Sequence, residues 1–195
     1  FHKDIIIINS TDSNKSFQDS VTVVTEKPEI NFFPESGSLV DNVPSVIAFK
    51  SVDIHGIGYN VAGEIYSSTD EIVTTFKSTH KGMGIFSLTP TSGINYYALI
   101  KNRNGDLIRY DIPESFSTGV VLTISKNLER ELLLNFKTNP ATFNLLKNSD
   151  LSLTVSARNL TFKTYSFRMQ SPKSFLRIPT EDLPDGIFIL TLSGI

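Results

Sequence analysis

The chain has 195 residues, a net charge of −2 and no cysteine. A chain of this length can bury roughly 70% of the surface that its unfolded form exposes, so it can fold around its own core without disulfides or a structural metal. The 18 Lys and Arg are scattered and form no basic stripe, which argues against nucleic-acid binding. The lack of cysteine excludes disulfides, thiolate nucleophiles and cysteine-ligated zinc together.

The first residues suggest a piece of a longer protein. The chain opens at Phe1-His2-Lys3, without an initiator Met or a signal peptide. Its longest apolar run, Ile5 to Ile8, is far too short to span a bilayer, so no membrane-spanning segment is predicted. We expect a soluble fragment in which residues 1–19 form a peripheral strand and a polar connector.

Strand signals dominate residues 20–113. Short β-branched and aromatic runs alternate there with turn residues. Asn104-Gly105 is a strong signal for a type I′ hairpin, because both residues tolerate positive φ. Strands are predicted at Ser20–Thr25, Glu29–Phe33, Ser45–Val52, Asn60–Tyr66, Glu71–Ser78, Gly84–Thr89 and Tyr96–Lys101.

Residues 114–195 repeat this pattern. Leu151–Ala157 alternates apolar and polar residues, as does a strand with one wet face. The best helical candidate, Ala141–Asp150, is long enough for one or two turns only. Strands are predicted at Gly119–Ser125, Glu131–Lys137, Leu151–Ala157, Phe162–Arg168, Ser174–Pro179 and Gly186–Leu192.

The spacing of these strands predicts an all-β fold. Strands at intervals of about 8–12 residues are typical of sandwiches rather than of βαβ units. We therefore predict two immunoglobulin- or fibronectin-III-like β-sandwich domains in tandem, over residues 20–113 and 114–195. Pro113 restricts the linker between them, which should be short and semi-rigid. Phe116 is predicted to make the apolar contact that joins the two domains.

No constellation of catalytic or metal-binding residues is visible. The three histidines, His2, His55 and His80, are isolated in the sequence, whereas a zinc site needs three or four convergent ligands. A nucleophile elbow and a phosphate-binding glycine loop are both missing. We therefore predict no catalytic, cofactor-binding or metal-binding residues, no cofactor, and a protein that is not an enzyme.

The loop His80-Lys81-Gly82-Met83-Gly84 is open to two interpretations. His and Lys beside glycines can form a binding or catalytic site, but the same residues can form a turn that the fold needs. Gly82 and Gly84 suit positive φ or a close approach of backbone, and Met83 could fill an irregular gap. We predict a structural loop with partly exposed His80 and Lys81.

Tyr96-Tyr97 is the main candidate for a ligand-stacking surface. Neighbouring residues of a strand point to opposite faces, so one of the two tyrosines is expected in the core and the other on the surface. An exposed tyrosine on a sandwich can stack on a sugar, although packing within the sheet is the better interpretation.

Four segments resemble macroglobulin-type domains of large envelope proteins from Gram-negative bacteria. They are Phe32–Val40 (FFPESGSLV), Val46–Gly56 (VIAFKSVDIHG), His80–Pro90 (HKGMGIFSLTP) and Tyr96–Ala98 (YYA). Ser36 departs from the pattern, which usually has glycine there. Leu183–Leu192 (LPDGIFILTL) is similar to the end of a following domain of the same type.

This resemblance implies a location and a kind of function. Its members lie in the cell envelope, periplasmic or associated with the outer membrane, often with a plug-like domain similar to those of TonB-dependent receptors. The resemblance implies a non-catalytic scaffold or partner-binding module. Its expected partners are other domains of the same polypeptide and envelope proteins. The alternative is a carbohydrate-binding or adhesin-like module with a glycan ligand. An exposed edge strand would favour the former, and exposed aromatic residues on a concave face the latter.

Overall fold

The computed structural model describes residues 27–102, 105–127 and 130–194. Within these ranges the chain consists mainly of strands, together with one α-helix and one 3-10 turn. The all-β sandwich class predicted from the sequence is confirmed. Across the described ranges, no helix combines the length and the apolar character needed to cross a membrane.

The first part of the chain forms a three-stranded and a four-stranded sheet, in the orders β1-β3-β6 and β5-β4-β7-β8. All pairings within these two sheets are antiparallel. The strands are β1 (Glu29–Pro34), β2 (Leu39–Val40), β3 (Ser45–Val52), β4 (Ala62–Ser67), β5 (Ile72–Lys77), β6 (Met83–Leu88), β7 (Tyr96–Lys101), β8 (Leu107–Asp111) and β9 (Ser115–Phe116). We call β1 and β3 to β8 the first sandwich.

The second part forms two three-stranded sheets, in the orders β10-β11-β14 and β13-β12-β15. We call these six strands the second sandwich. They are β10 (Val120–Asn127), β11 (Glu131–Thr138), β12 (Leu151–Ala157), β13 (Leu160–Phe167), β14 (Lys173–Pro179) and β15 (Ile189–Gly194). The helix α1 (Pro140–Leu146) follows β11, and a 3-10 turn (Thr180–Asp182) follows β14.

Each sandwich encloses its own apolar core. Period-2 alternation turns Ile47 and Phe49 of β3 inward, where they meet Ile65 and Phe76 from the facing sheet. The rings of Phe49 and Phe76 lie edge to face, with centroids 5.0 Å apart. In aromatic pairs this geometry contributes about 0.5–1.5 kcal/mol beyond the area buried.

The second core is built in the same way. Leu134 and Phe136 of β11 meet Leu151 and Leu153 of β12, and all four are at most 2% exposed. The strand predicted at Leu151–Ala157 is found with the same bounds. As its alternation indicated, its apolar residues are buried and its polar residues are half-buried.

Most predicted strands are found within two or three residues of their predicted ends. β8 (Leu107–Asp111) was not predicted, since residues 107–110 were left without an element between the predicted turn at 102–106 and the linker that begins at Asp111. The predicted strand Ser20–Thr25 and the peripheral segment 1–19 lie outside the described residues. The domain limits at residues 19/20 and 113/114 stay predictions.

Candidate functional site at the junction of the sandwiches

The loop His80–Gly84 contains a two-residue turn that carries the chain from one sheet of the first sandwich to the other. Lys81 and Gly82 have φ of 45° and 78°, the pair of positive values that a type I′ turn requires. The N–H of Met83 donates to the carbonyl of His80 at 2.8 Å, and the N–H of His80 donates back at 3.2 Å. The turn is therefore regular.

Gly82 is wedged between two backbone segments. A Cβ at this position would lie 2.1 Å from the carbonyl oxygen of Ser51 and 2.8 Å from the backbone nitrogen of Tyr59. Its N–H donates to Oδ1 of Asn60 at 2.9 Å, and its carbonyl accepts from the N–H of Ser51 at 2.9 Å. Glycine is needed here both for φ and for space.

Gly84 takes the second of its two predicted roles, a close approach of backbone, whereas Met83 differs from what the sequence predicted. Gly84 is not among the residues with positive φ, but a Cβ there would lie 2.6 Å from the carbonyl oxygen of Lys77 and 2.7 Å from the ring of Phe49. Close packing, rather than φ, accounts for this glycine. Met83 is 42% exposed, so its predicted role as the filler of a gap is wrong.

The described histidines lie in turns. His80 and Lys81 are both exposed, and His55 follows Asp53, whose carboxylate accepts from the N–H groups of His55 and Ile57 at 2.9 Å. His2 lies outside the described residues. In the described ranges no three His, Asp or Glu side chains lie close enough together to hold a metal ion. The structural role of the loop and the lack of a metal or cofactor stay predictions.

The tyrosine pair forms a covered stack. Tyr96 belongs to the first core, while Tyr97 points to the other face of its sheet. There the ring of Tyr66 stacks on Tyr97 with centroids 5.5 Å apart, and the guanidinium carbon of Arg109 lies 3.8 Å from the centroid of Tyr97. Tyr97 is only 6% exposed as a result.

Hydrogen bonds hold this stack in place. The hydroxyl of Tyr97 donates to Asp70 at 2.6 Å, and that of Tyr66 donates to Glu64 at 2.7 Å. Each bond favours the neutral phenol and, together with burial, raises the pKa of its tyrosine. Because neighbours already cover Tyr97, its ring offers no open face for a sugar.

The described junction between the sandwiches is a mixed apolar and polar contact. Val40 and Val43 of the first part pack with Val121 of the second, and all three are at most 2% exposed. Phe116 is 61% exposed, so the prediction that its side chain joins the domains is wrong. Its backbone contributes instead, since β9 pairs in parallel with β2 and places Phe116 beside Val40.

Asn139 is the polar centre of this junction and is 5% exposed. Its amide nitrogen donates to the carbonyls of Asp41 at 3.1 Å and Ser117 at 2.8 Å. Its Oδ1 accepts from the backbone N–H and the hydroxyl of Thr142, at 2.9 and 2.8 Å. Both donors and both acceptor sites of the side chain are therefore used. A single residue ties the first sandwich, the linker and α1 together.

Asn139 is also the N-cap of α1, and Pro140 takes the first helical position. The Asn-Pro pair is a recognisable helix-start signal, and sequence reasoning could have found the cap from it. Nothing local indicates the bonds to Asp41 and Ser117, because these partners lie 98 and 22 residues away.

Thr142 extends the network to the linker. Its hydroxyl accepts from the N–H of Gly119 at 2.9 Å while donating to Asn139. On the opposite side, the hydroxyl of Ser115 donates to the carboxylate of Asp41, which is 5% exposed. The linker is thus bonded on both sides.

Ser36 makes a second connection at the edge of β10. Its hydroxyl accepts from the N–H of Leu122 at 2.9 Å and makes a longer contact of 3.4 Å with the carbonyl of Val120. This residue replaces the glycine that is usual in the motif that FFPESGSLV resembles. Its hydroxyl, which glycine would lack, binds the first sandwich to the second.

Comparisons with known proteins assign no family. No protein-family model matches the chain, and no curated protein matches it. Among solved structures, the chain is similar to the apo structure of β-glucuronidase 3 from Bacteroides uniformis, with 9% identity and a TM-score of 0.30. The match covers 86% of this chain and 23% of the β-glucuronidase chain. At this TM-score the likeness assigns neither a function nor a domain type.

The prediction that the chain is not an enzyme is nevertheless contradicted, because the protein matched is an enzyme. The prediction rested on the lack of a catalytic constellation in one stretch of chain. A β-sandwich without such residues can still form part of an enzyme, and the match spans less than a quarter of one. The exclusion of catalysis is therefore withdrawn.

Proposed function

We propose that the chain is a scaffold segment of a bacterial cell-envelope protein. Two macroglobulin-type sandwiches hold the neighbouring domains of the polypeptide at a fixed geometry and present a surface to envelope partners. The observation that carries this proposal is the buried network around Asn139, in which Asp41, Ser117 and Thr142 meet.

A fixed geometry requires more than a short linker. Adjacent domains move relative to each other by default, unless their interface restrains them. Here the restraint is the buried side chain of Asn139, which bonds Asp41 of the first part, Ser117 of the linker and Thr142 of α1. The apolar contact of Val40, Val43 and Val121 adds to it. Swinging one sandwich away would exchange the bond between Asn139 and the carbonyl of Asp41 for bonds to water, at a net loss of about 0.5–1.5 kcal/mol. It would also expose the three valines to water.

The envelope location rests on the sequence motifs. The segment FFPESGSLV forms the second half of β1, the following turn and β2. The turn and β2 contact the second sandwich through Ser36 and Val40. In a scaffold, such a turn helps to fix the geometry between the two sandwiches. The resemblance supplies the compartment and the class of partner, which are proposals.

The glycan-binding alternative has less support. It needs exposed aromatic faces, and the candidate ring of Tyr97 is covered by Tyr66 and Arg109. In contrast, β6 is an edge strand within the described residues, and an exposed edge is the feature expected of a partner-binding scaffold.

Residual dipolar couplings of the intact chain test the proposal. If the junction is rigid, amides of both sandwiches fit one alignment tensor in native protein. The Asn139→Ala variant should need two tensors, whereas Asn144→Ala, a change at an exposed residue of α1, should behave as native protein. Two unrelated tensors in the native chain would rule out a rigid scaffold.

A further inference from the structure

The strand β6 lies at an edge of its sheet because of the strand order of the fold. In the order β1-β3-β6, its one described neighbour is β3. The strands before and after it in the chain, β5 and β7, both belong to the facing sheet, so the open edge does not depend on where the chain begins or ends. The second sandwich repeats this arrangement, since β14 is likewise an edge of the order β10-β11-β14.

Other edge strands of the described part carry features that discourage the addition of a further strand. Proteins protect sheet edges in this way, with bulges, prolines or charged side chains. The strand β14 turns Lys173 and Arg177 outward. The strands β5, β10 and β13 each contain a bulge, where one residue has no partner in the register: Val73, Ser125 and Phe162.

The strand β6 has none of these features. Its sequence, MGIFSL, contains neither a charged residue nor a proline, and its register with β3 runs without a bulge. Its outward side chains are those of Met83, Ile85 and Ser87, and all three are exposed. An exposed and unprotected edge is what domains that bind peptides by strand addition present to their ligands.

The free side of β6 offers unpaired backbone groups at Ile85 and Ser87. The N–H of Ser51 donates to the carbonyl of Gly82, and in an antiparallel ladder every second residue bonds the same neighbour. The residues of β6 that bond β3 are therefore Gly84, Phe86 and Leu88. The N–H and C=O groups of Ile85 and Ser87 point away from β3 and have no partner among the described residues.

An apolar row leads to this edge on the outer face of the sheet. Phe33, Ala48 and Ile85 lie opposite one another in the register of β1, β3 and β6. Phe33 is 53% exposed and Ile85 is 67% exposed, and the half-buried Ala48 lies between them. An apolar residue of an added strand, placed opposite Ile85, would extend the row and remove part of it from water.

The beginning of β6 is basic. Lys50 is exposed and lies opposite Met83, and the exposed Lys81 precedes Met83 by two residues. Neither lysine forms an ion pair with a residue that the structure describes. One acid of the same face, Glu29, lies across the sheet on β1 and accepts from Asn31. An acidic side chain beside Met83 would therefore meet two lysines that lack an acidic partner.

These features define the chemistry of an added strand. Antiparallel pairing, the more common kind in sheets, would bond its backbone to Ile85 and Ser87. The residue opposite Ile85 would be apolar. Two residues later the strand would pass Met83 and Lys50, where an acidic residue fits. The matching segment is therefore short and extended, with an apolar residue followed two places later by Asp or Glu.

We propose that the edge of β6 binds an extended segment of a partner protein by antiparallel strand addition. An apolar residue of that segment lies beside Ile85, and an acidic one lies beside Lys50 and Lys81. This inference rests on the proposed scaffold function, to which it adds the position of the partner surface and the chemistry of the partner.

Titration of the intact chain with a synthetic peptide, followed through the amide signals of the protein, gives the first test. The probe is the acetylated and amidated peptide STTVTES, in which valine and glutamate have the proposed spacing. The amides of residues 85 and 87 should shift on binding, and the lysine peptide STTVTKS should bind several-fold more weakly. The proposal is overturned if STTVTES shifts neither amide, or if the two peptides bind equally well.

Variants of the chain give the second test. Ile85→Pro removes an N–H that faces the free edge and breaks no bond to β3, so binding of STTVTES should be lost while the sandwich stays folded. By the same alternation the N–H of Phe175 faces the free edge of β14, so Phe175→Pro is the matched control and should bind as native protein does.

Charge reversal does not depend on the proline variants. The double variant Lys50→Glu/Lys81→Glu should reverse the preference and bind STTVTKS better than STTVTES. Native-like binding by Ile85→Pro, or an unchanged preference in the double variant, overturns the proposal. Either result leaves the rigid junction in place, because the dipolar couplings test that part of the proposed function separately.

Discussion

Replacing Asn139 by alanine should test the junction in one step. The change removes the cap of α1, which costs about 1 kcal/mol. It also leaves the carbonyls of Asp41 and Ser117 without a donor, at about 1 kcal/mol each or more. The free energy of unfolding should therefore fall by about 3 kcal/mol. For a chain of this size that corresponds to a loss of roughly 6–12 °C in Tm.

The assay is urea and thermal unfolding followed by circular dichroism. Asn139→Ser retains a good capping side chain but cannot reach the two carbonyls, so it should recover only about 1 kcal/mol of the loss. Asn144→Ala, at an exposed residue of the same helix, should change stability by less than about 0.5 kcal/mol. If Asn139→Ala unfolds within about 0.5 kcal/mol of native protein, the network does not stabilise the junction and the reasoning is refuted.

Three further predictions concern other contacts. Gly82→Ala should lose more than about 2 kcal/mol of unfolding free energy, because its Cβ would lie 2.1 Å from a backbone oxygen and its φ is 78°. His80→Ala should melt as native protein does. If Gly82→Ala also melted as native protein does while His80→Ala abolished a binding activity, the loop would be a binding site. Ser36→Gly should speed hydrogen exchange at the amide of residue 122 without unfolding either sandwich, and an unchanged rate would contradict the contact. The Tyr165 hydroxyl donates to Asp182 at 2.6 Å and, ahead of the nearby lysine, lowers the pKa of that carboxyl against the opposing effect of burial. Its stabilisation is present above the unfolded pKa of about 3.9 and is lost as the pH falls through the lower folded pKa. Tyr165→Phe should therefore unfold with a smaller loss of stability in this acidic range, and an unchanged pH profile would contradict the assignment.

The strands were predictable because their signal is local. Leu151–Ala157 alternates apolar and polar residues without interruption. In a sheet with one solvent-facing side, the apolar residues of such a strand are buried and the polar ones are not. β8 was missed in the sequence because its five residues lie between a predicted hairpin turn and Pro113, a context that is typical of a connecting segment.

The junction was not predictable, since its contacts join residues far apart in the chain. Phe116 was the obvious apolar residue of the linker, but the parallel pairing of β9 with β2 leaves its side chain in solvent. Asn139 looks like an ordinary helix cap until Asp41 is brought beside it by the fold of the first sandwich.

The hydroxyl of Ser36 has a consequence for aggregation. β10 is an edge strand, and unpaired edges are where chains add to one another by uncontrolled sheet growth. By binding the N–H of Leu122, Ser36 occupies one of the hydrogen-bonding positions on which such growth would begin. This protection exists only while the first sandwich is folded, because the β1–β2 turn delivers the hydroxyl. Local unfolding of the first sandwich therefore exposes the second to self-association, even when the second remains intact.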